Sequence, residues 1–381
     1  MHGAIKMTSK SSYTLHLPYI DCIRGYAVSL VIISHTVYLF PDLPYPVQRV
    51  LVNGWFGVQL FFLASCVTLL QSWNKEIERY GFVSVQYFFM RRIFRIAPAY
   101  YLAALAYAAL DWHSSRFSSG DVITTLVFAN ALHPVWALTN HVIVPGGWSI
   151  GAEFAFYAVF PVFAVFLTSL RRALLIFAGS LMFGWAANLL AMRYLIGDIP
   201  IEQFANGLFF WFPNQASVFA LGGVIYFILK RPPQIISYHP NAGVMVSLIG
   251  FWLLGYLPSS HYLGETIALP DSLTISLVFA IGIISLSVAR GIFVNRTAAA
   301  FGRVSFSAYL IHFGVLDIVR SFPQAGYASA TGYQAIVAYT IALMFILVVT
   351  YGLSCITFRW IERPMINFSA HLSRQRHHHP T

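Results

Sequence analysis

Ten stretches of the chain are apolar over the length of a membrane crossing: 23–40, 50–71, 95–112, 150–169, 173–192, 208–229, 241–257, 272–289, 303–320 and 333–357. A hydrocarbon core of about 30 Å takes about 20 helical residues to cross. A backbone in lipid must also satisfy its own hydrogen bonds, so each stretch is predicted as a transmembrane helix. An eleventh stretch, 122–138, is broken by Asn130, His133 and Pro134. Loop charge decides its status. With ten spans and a cytoplasmic N-terminus, 19 Lys and Arg fall on the cytoplasmic side and 4 (Arg49, Arg116, Arg193 and Arg320) on the other, the distribution that the positive-inside rule describes. An eleventh span would invert every later loop and carry Arg171, Arg172, Lys230 and Arg231 outside. Residues 113–147 are therefore expected to form a long outer loop whose apolar part dips into the interface or the bundle. The expected fold is an all-α integral membrane protein, a bundle of about ten transmembrane helices with both termini cytoplasmic.

Composition agrees. Of 381 residues, 58% are hydrophobic, 17% aromatic and 9% charged, whereas a soluble domain is about 25% charged. Soluble and disordered classes are excluded. The 23 Lys and Arg against 13 Asp and Glu need no nucleic-acid partner, since cytoplasmic loops collect cations. Cys22, Cys66 and Cys355 lie in or beside apolar runs and imply neither disulfide nor metal site. No cleavable signal peptide and no internal repeat are evident. The expected layout is a cytoplasmic segment 1–19, a membrane domain 20–365 and a basic tail 366–381 that includes His377, His378 and His379, with no appended soluble domain.

Polar residues inside apolar spans are costly in lipid and mark functional hypotheses. Four places carry them. In RGYAVSLVIISH, Arg24 and His35 lie eleven residues apart, about 16 Å along a helix and within about 20° of one face. Arg24 is expected at the cytoplasmic boundary with His35 above it near mid-membrane: a cation at the mouth and a base within. A snorkelling arginine and a core histidine would give the same pattern. In MRRIFRIAP, Arg91, Arg92 and Arg95 share a helical face, which suits phosphates and equally suits anchoring to anionic lipid. GGWSIGAEFAFYAVFP sets Trp148 and Ser149 ahead of Glu153; the acid can orient a histidine, bind a hydroxyl, or simply complement a helix N-terminus. RVSFSAYLIHFGVLD loads one span with Ser305, Ser307, Tyr309, His312 and Asp317, where interhelical hydrogen bonding is the plainer role. There is no GxxxxGK[ST], HExxH or GxSxG motif, so nucleotide hydrolysis, zinc proteolysis and a serine-hydrolase triad lose support.

Together these stretches resemble acyltransferase family 3, the multi-span bacterial membrane O-acyltransferases. YIDCIRGYAVSLVIISHT resembles the family's opening, with an Arg, ten residues, then a His. GWFGVQLFFLASC resembles its second span, and RIFRIAP matches its RxxR element through Arg92 and Arg95. WSIGAEFAFYAVFP resembles its Trp-Ser…Glu segment, while FGRVSFSAYLIHF and FRWIERP resemble its last two spans. The six segments occur in order over roughly 19–365. Gln59 stands where the family commonly has an acid, and Ser65-Cys66 where it commonly has Ser-Gly.

The resemblance implies an acyl-CoA donor, most often acetyl-CoA, entering from the cytoplasm as a co-substrate, with no tightly bound cofactor and no metal. Arg24, Arg91, Arg92 and Arg95 are expected to hold its phosphates, with His35 as general base and Glu153 or Asp317 orienting the imidazole. Trp148, Ser149, Tyr309, His312 and Asp317 are the candidate acceptor-path residues. The implied partners are a glycan, lipid-linked sugar or small-molecule hydroxyl acceptor and the lipid bilayer, with no nucleic acid, in the bacterial cytoplasmic (inner) membrane. Several family members hand the acyl group to a fused extracytoplasmic domain; transfer here is expected to be direct or to a separate partner. A transporter or flippase for a lipid-linked glycan precursor is the rival reading, and a membrane scaffold a third.

Overall fold

The first helix is described from Pro18, and Asp21 near that end complements the helix dipole. The computed structural model describes residues 18–81, 84–110, 117–138, 141–256, 271–321 and 330–375. All secondary structure in them is helical. The helices are α1 (Pro18–Val37), α2 (Tyr45–Val52), α3 (Gly57–Tyr80), α4 (Ser84–Leu110), α5 (Ser119–Leu126), α6 (Gly147–Phe166), α7 (Leu170–Tyr194), α8 (Ile201–Phe210), α9 (Phe212–Lys230), α10 (Gln234–Tyr238), α11 (Pro240–Leu254), α12 (Asp271–Val288), α13 (Arg296–Arg303), α14 (Ser305–Ser321), α15 (Gly332–Thr357) and α16 (Arg363–Gln375), with a π-helical turn over Phe358–Glu362.

Every predicted span coincides with an apolar helix. Among the described residues, eight helical segments are long and apolar enough to cross a membrane singly. The 303–320 stretch belongs to a pair, Gly291–Arg303 and Ser305–Ser321, bent by 71°. The 241–257 stretch is the shorter apolar helix Pro240–Leu254. The protein is a multi-pass membrane protein.

The eleventh stretch behaves as expected. Ser118 and Asp121 cap α5 reciprocally, a capping box that satisfies two otherwise orphaned N–H groups. Helix then ends, Phe128 takes φ +57°, and Asn130 and Ala131 are buried without any exposure. The Phe212 N–H donates to the Ala131 carbonyl at 2.7 Å. This segment dips into the bundle and does not cross it.

α1 is central: α3, α12, α13, α14 and α15 all pack against it. Its approach to α13 is backbone to backbone. A Cβ on Gly25 would collide with the Ala298 carbonyl, and one on Gly302 with the Asp21 carbonyl, the small-residue contact typical of helices in lipid. α7 lies at the periphery, with Leu175, Met182 and Leu190 exposed.

Helix boundaries set where the charged residues lie along their helices. α1 spans Pro18–Val37, which puts Arg24 about 9 Å along it from Pro18. His35 lies two residues before the end of α1 at Val37. α4 begins at Ser84, eleven residues before the predicted span, which places Arg91, Arg92 and Arg95 within the helix. Apolar counting ended the span at the first arginines, whereas the neighbouring helices shelter those charges.

Candidate active site

Four of the predicted residues meet at one cavity. Arg24 from α1, Arg92 and Arg95 from α4 and Glu153 from α6 line a space of about 440 Å³ with Ser65 and Thr68 of α3, Tyr157 of α6 and Phe306 of α14. Glu153 and Tyr157 are one turn apart, and the phenol donates to the carboxylate at 3.0 Å. The Arg92 guanidinium lies 5.8 Å from the Phe88 ring centre, and its Nε–H is buried without an acceptor among the described residues. A buried donor without a partner is expensive. Glu362 lies within electrostatic reach of Arg24 and Arg95. It is 3% exposed and accepts a hydrogen bond from the Ser307 hydroxyl. Asp21 also lies within electrostatic reach of Arg24, and Glu76 of Arg92, so these acids offset much of the positive charge while the guanidinium N–H donors face the cavity. Guanidinium donors gathered in a low-dielectric interior suit an anion able to take several N–H groups at once.

Glu362 was missed by reading the sequence alone, because the last predicted span ended at 357. The helix runs on through the π-helical turn into α16, and such turns are frequent at functional sites. The FRWIERP segment was visible as a family-like stretch, without a role for its acid.

A second group lies further along α14. His312 Nδ1 is 2.7 Å from the Tyr309 carbonyl and 3.3 Å from that of Ala308. Carbonyls only accept, so Nδ1 carries the proton of the neutral ring and Nε2 presents a lone pair. His35 Nδ1 lies 3.1 Å from that Nε2 and must donate to it. His35 Nε2 is left with a free lone pair. A backbone carbonyl thus sets the tautomer of one imidazole, which sets that of the next. Phe313 lies tilted against both rings, with its centre 4.4 Å from that of His35 and 4.1 Å from that of His312.

Phe306, Tyr309 and His312 follow one face of α14 at successive turns and connect the two groups. The Tyr309 ring lies 6.2 Å from Phe61 at the cavity wall and 5.7 Å from His312. The arginine cavity itself stops at Phe61 and Phe306 and does not include His35. Tyr309 is clamped to α6. Its hydroxyl donates to the Gly146 carbonyl at 3.0 Å and receives a hydrogen bond from Ser149 at 2.9 Å. Gly146 has φ +76°, and a Cβ there would lie 2.6 Å from the Tyr309 hydroxyl, so glycine is required twice over.

Other predicted residues stand apart. Arg91 forms an ion pair with Glu76 of α3 and does not line the cavity. Trp148 packs into an aromatic cluster with Phe62, Phe209 and Phe210. Asp317 lies five residues beyond His312 on another face of α14, with 59% of its side chain exposed, 3.7 Å from Arg320; it is not positioned to orient His35. Gln59 donates to Gln215 at 3.1 Å in a buried amide pair, so a neutral contact occupies the place where an acid was expected by resemblance. In the dipping segment, His141 lies 2.9 Å from Asp121. Burial pushes the Asp121 carboxyl up, but hydrogen bonds from the Ser118 hydroxyl and N–H and from His141 outweigh it and hold the group below its ordinary range.

The architecture is that of a polytopic membrane protein with a basic, partly enclosed cavity, and comparison with known proteins names its class. Residues 17–359 match the family model described as "Acyltransferase domain", that of acyltransferase family 3. The chain belongs to this family. Curated relatives include a "Putative O-acetyltransferase" of Staphylococcus aureus, 24% identical over 371 residues, covering 92% of this chain and 57% of the relative. The "Putative membrane-bound transacylase BcsY" of Komagataeibacter xylinus is 26% identical over 354 residues, covering 88% of this chain and 82% of that protein. A "Putative acetyltransferase" of Acidianus two-tailed virus is 23% identical over 306 residues, covering 77% and 82%. The chain thus spans little more than half the length of the staphylococcal relatives. No solved structure matches it.

Proposed function

We propose that the chain is a membrane O-acyltransferase that moves an acyl group, acetyl in the simplest case, from acyl-CoA to a hydroxyl of a glycan or similar acceptor. The observation that carries this reading is the meeting of Arg24, Arg92 and Arg95 around one cavity in an otherwise apolar bundle. Such a grip suits the phosphates of a coenzyme that enters from the cytoplasm. Arg24 and His35 are separated by eleven residues of one helix, about 16 Å, a distance that an extended pantetheine arm bridges. The acceptor approaches from the opposite, outer end of α1, where His35 lies. Passage of the arm toward His35 requires Phe61 and Tyr309 to part.

The chemistry follows from the tautomers. His35 Nε2 takes the proton from the acceptor hydroxyl as its oxygen attacks the thioester carbonyl. The tetrahedral adduct collapses, the carbon–sulfur bond breaks, and the thiolate recovers that proton to leave as free coenzyme thiol. His312 disperses the charge of the transient imidazolium through the hydrogen bond to Nδ1. Family membership and the names of the relatives support acyl transfer in general, and the basic cavity supports the donor.

The test uses the purified chain in nanodiscs with radiolabelled acetyl-CoA and a surface-glycan extract as acceptor source. His35→Ala is expected to lower acceptor-dependent coenzyme release by about 10²–10⁴-fold, the usual contribution of a general base. Equal turnover by wild type and variant defeats the role given to His35, and transport of a lipid-linked glycan without any coenzyme dependence replaces the reading with a flippase.

A further inference from the structure

A second cavity, with empty space of about 720 Å³, is lined by Tyr19 of α1, Gln71 of α3, Tyr226 and Lys230 of α9 and Ser287 of α12. Lys230 is its cation. The Nζ lies 4.5 Å from the Tyr226 ring centre and 4.8 Å from that of Phe227. Among the described residues no carboxylate pairs with it. The Tyr226 hydroxyl accepts from the Asn74 amide at 2.6 Å, which leaves the phenol proton for another acceptor. An ammonium and the Tyr226 hydroxyl, with no opposing carboxylate among the described residues, form a receptor for a phosphate oxygen.

The two cavities are consecutive. Thr68 lines the first and Gln71 the second, three residues apart on one face of α3. Arg24 lines the first and Tyr19 the second, about 7.5 Å apart along α1. One turn of helix separates the spaces, and the Lys230 cavity lies nearer the N-terminal end of α1. Coenzyme A has phosphate in two places, a diphosphate linking its arm and a separate 3′-phosphate on its adenosine. We propose that the second cavity binds the 3′-phosphoadenosine end of the donor, with Lys230 on the 3′-phosphate, while the arginine cavity takes the diphosphate. This inference rests on the acyl-CoA reading above.

Equilibrium binding of coenzyme A and of 3′-dephospho-coenzyme A to the full chain, in nanodiscs of zwitterionic lipid, tests it. Wild type is expected to prefer coenzyme A by about tenfold, the size of one charge-assisted contact. Lys230→Ala abolishes that preference by weakening coenzyme A alone, Lys230→Arg keeps it, and Arg92→Ala weakens both ligands alike. If Lys230→Ala discriminates as wild type does, or wild type does not discriminate, the subsite is overturned and the acyl-CoA reading survives. If wild type binds neither ligand, the acyl-CoA reading itself falls. If anionic lipid titrated into the nanodiscs occupies the cavity through Lys230, and no 3′-phosphate preference exists in its absence, the cavity is a lipid-phosphate site and the proposal is overturned.

Discussion

α1 and α7 are both helices long and apolar enough to cross a membrane, yet 61% of the residues in the apolar stretch of α1 are buried against 11% in α7. α7 carries its apolar residues all round, with Met182 and Leu190 exposed, and is solvated by lipid. α1 carries Arg24, Ser29, Ser34, His35 and Thr36, and packs against six other α-helices. The physical reason is that lipid is as apolar as leucine, so burial of apolar surface gives a membrane helix little reason to move inward. Polar groups do, because in lipid their hydrogen bonds and charges go unmet. Within this bundle the helix with the less apolar membrane-length stretch of the two is the central one, the reverse of the soluble rule.

That contrast predicts opposite outcomes for polar changes in the two helices. Removing the charge from the centre, Arg24→Ala, is expected to leave the bundle in the membrane while lowering kcat/KM for acyl-CoA by about a hundredfold or more, since one partner of a buried charge contact is deleted; steady-state kinetics in nanodiscs measure it. Adding a charge at the periphery, Met182→Arg, is expected to cost about 2.5–3.5 kcal/mol of insertion. The yield of folded protein falls by quantitative gel fluorescence, while turnover per folded molecule stays at the wild-type level. A drop in turnover at Met182→Arg, or in yield alone at Arg24→Ala, would break the comparison.

His312→Ala sharpens it within the centre. The change removes the acceptor that holds the His35 tautomer, and kcat is expected to fall by about ten- to a hundredfold with KM for acyl-CoA little changed. His312→Gln, whose amide oxygen can accept from His35 Nδ1, is expected to recover part of the loss. A purely structural role would move yield in place of kcat and show no such recovery.

The smallest effect lies outside both helices. Asp121 is held below its ordinary value of 3.8 by Ser118 and His141, so its folded form binds protons less readily than its unfolded form. The associated stability is fully present above that ordinary value and is lost as pH falls below it. Ser118→Ala removes the cap, with an expected local cost of about 1 kcal/mol, read as faster amide exchange in α5. Acidification below the ordinary value should accelerate exchange there in wild type, and by less in the variant.

Span positions were legible in the sequence because the hydropathic signal is local. Ten apolar runs became ten apolar helical regions, and the interrupted eleventh became a segment that dips without crossing. Arg24, Arg92, Arg95 and Glu153 were legible as charges in costly places, and the structure brings them to one cavity. Arg91 was indistinguishable from its neighbours by spacing, since only the location of Glu76 separates it from them. His312 was visible as a polar residue, but its partnership with His35 spans 277 positions and no periodicity within one helix encodes it. Glu362 was hidden by a span boundary that the π-helical turn overrides.

The order of apolar and charged residues was sufficient to specify a polytopic helical protein, its dipping segment and the cations of its cavity, because each of those depends on transfer of a local segment into lipid. Which helix lies at the centre, which arginine pairs and which stays available, and which imidazole nitrogen keeps its lone pair were decided only by tertiary packing. Those properties belong to distances between helices, set by contacts such as Gly25 with α13 and the Tyr309 clamp on Gly146, and a linear pattern contains no such distances.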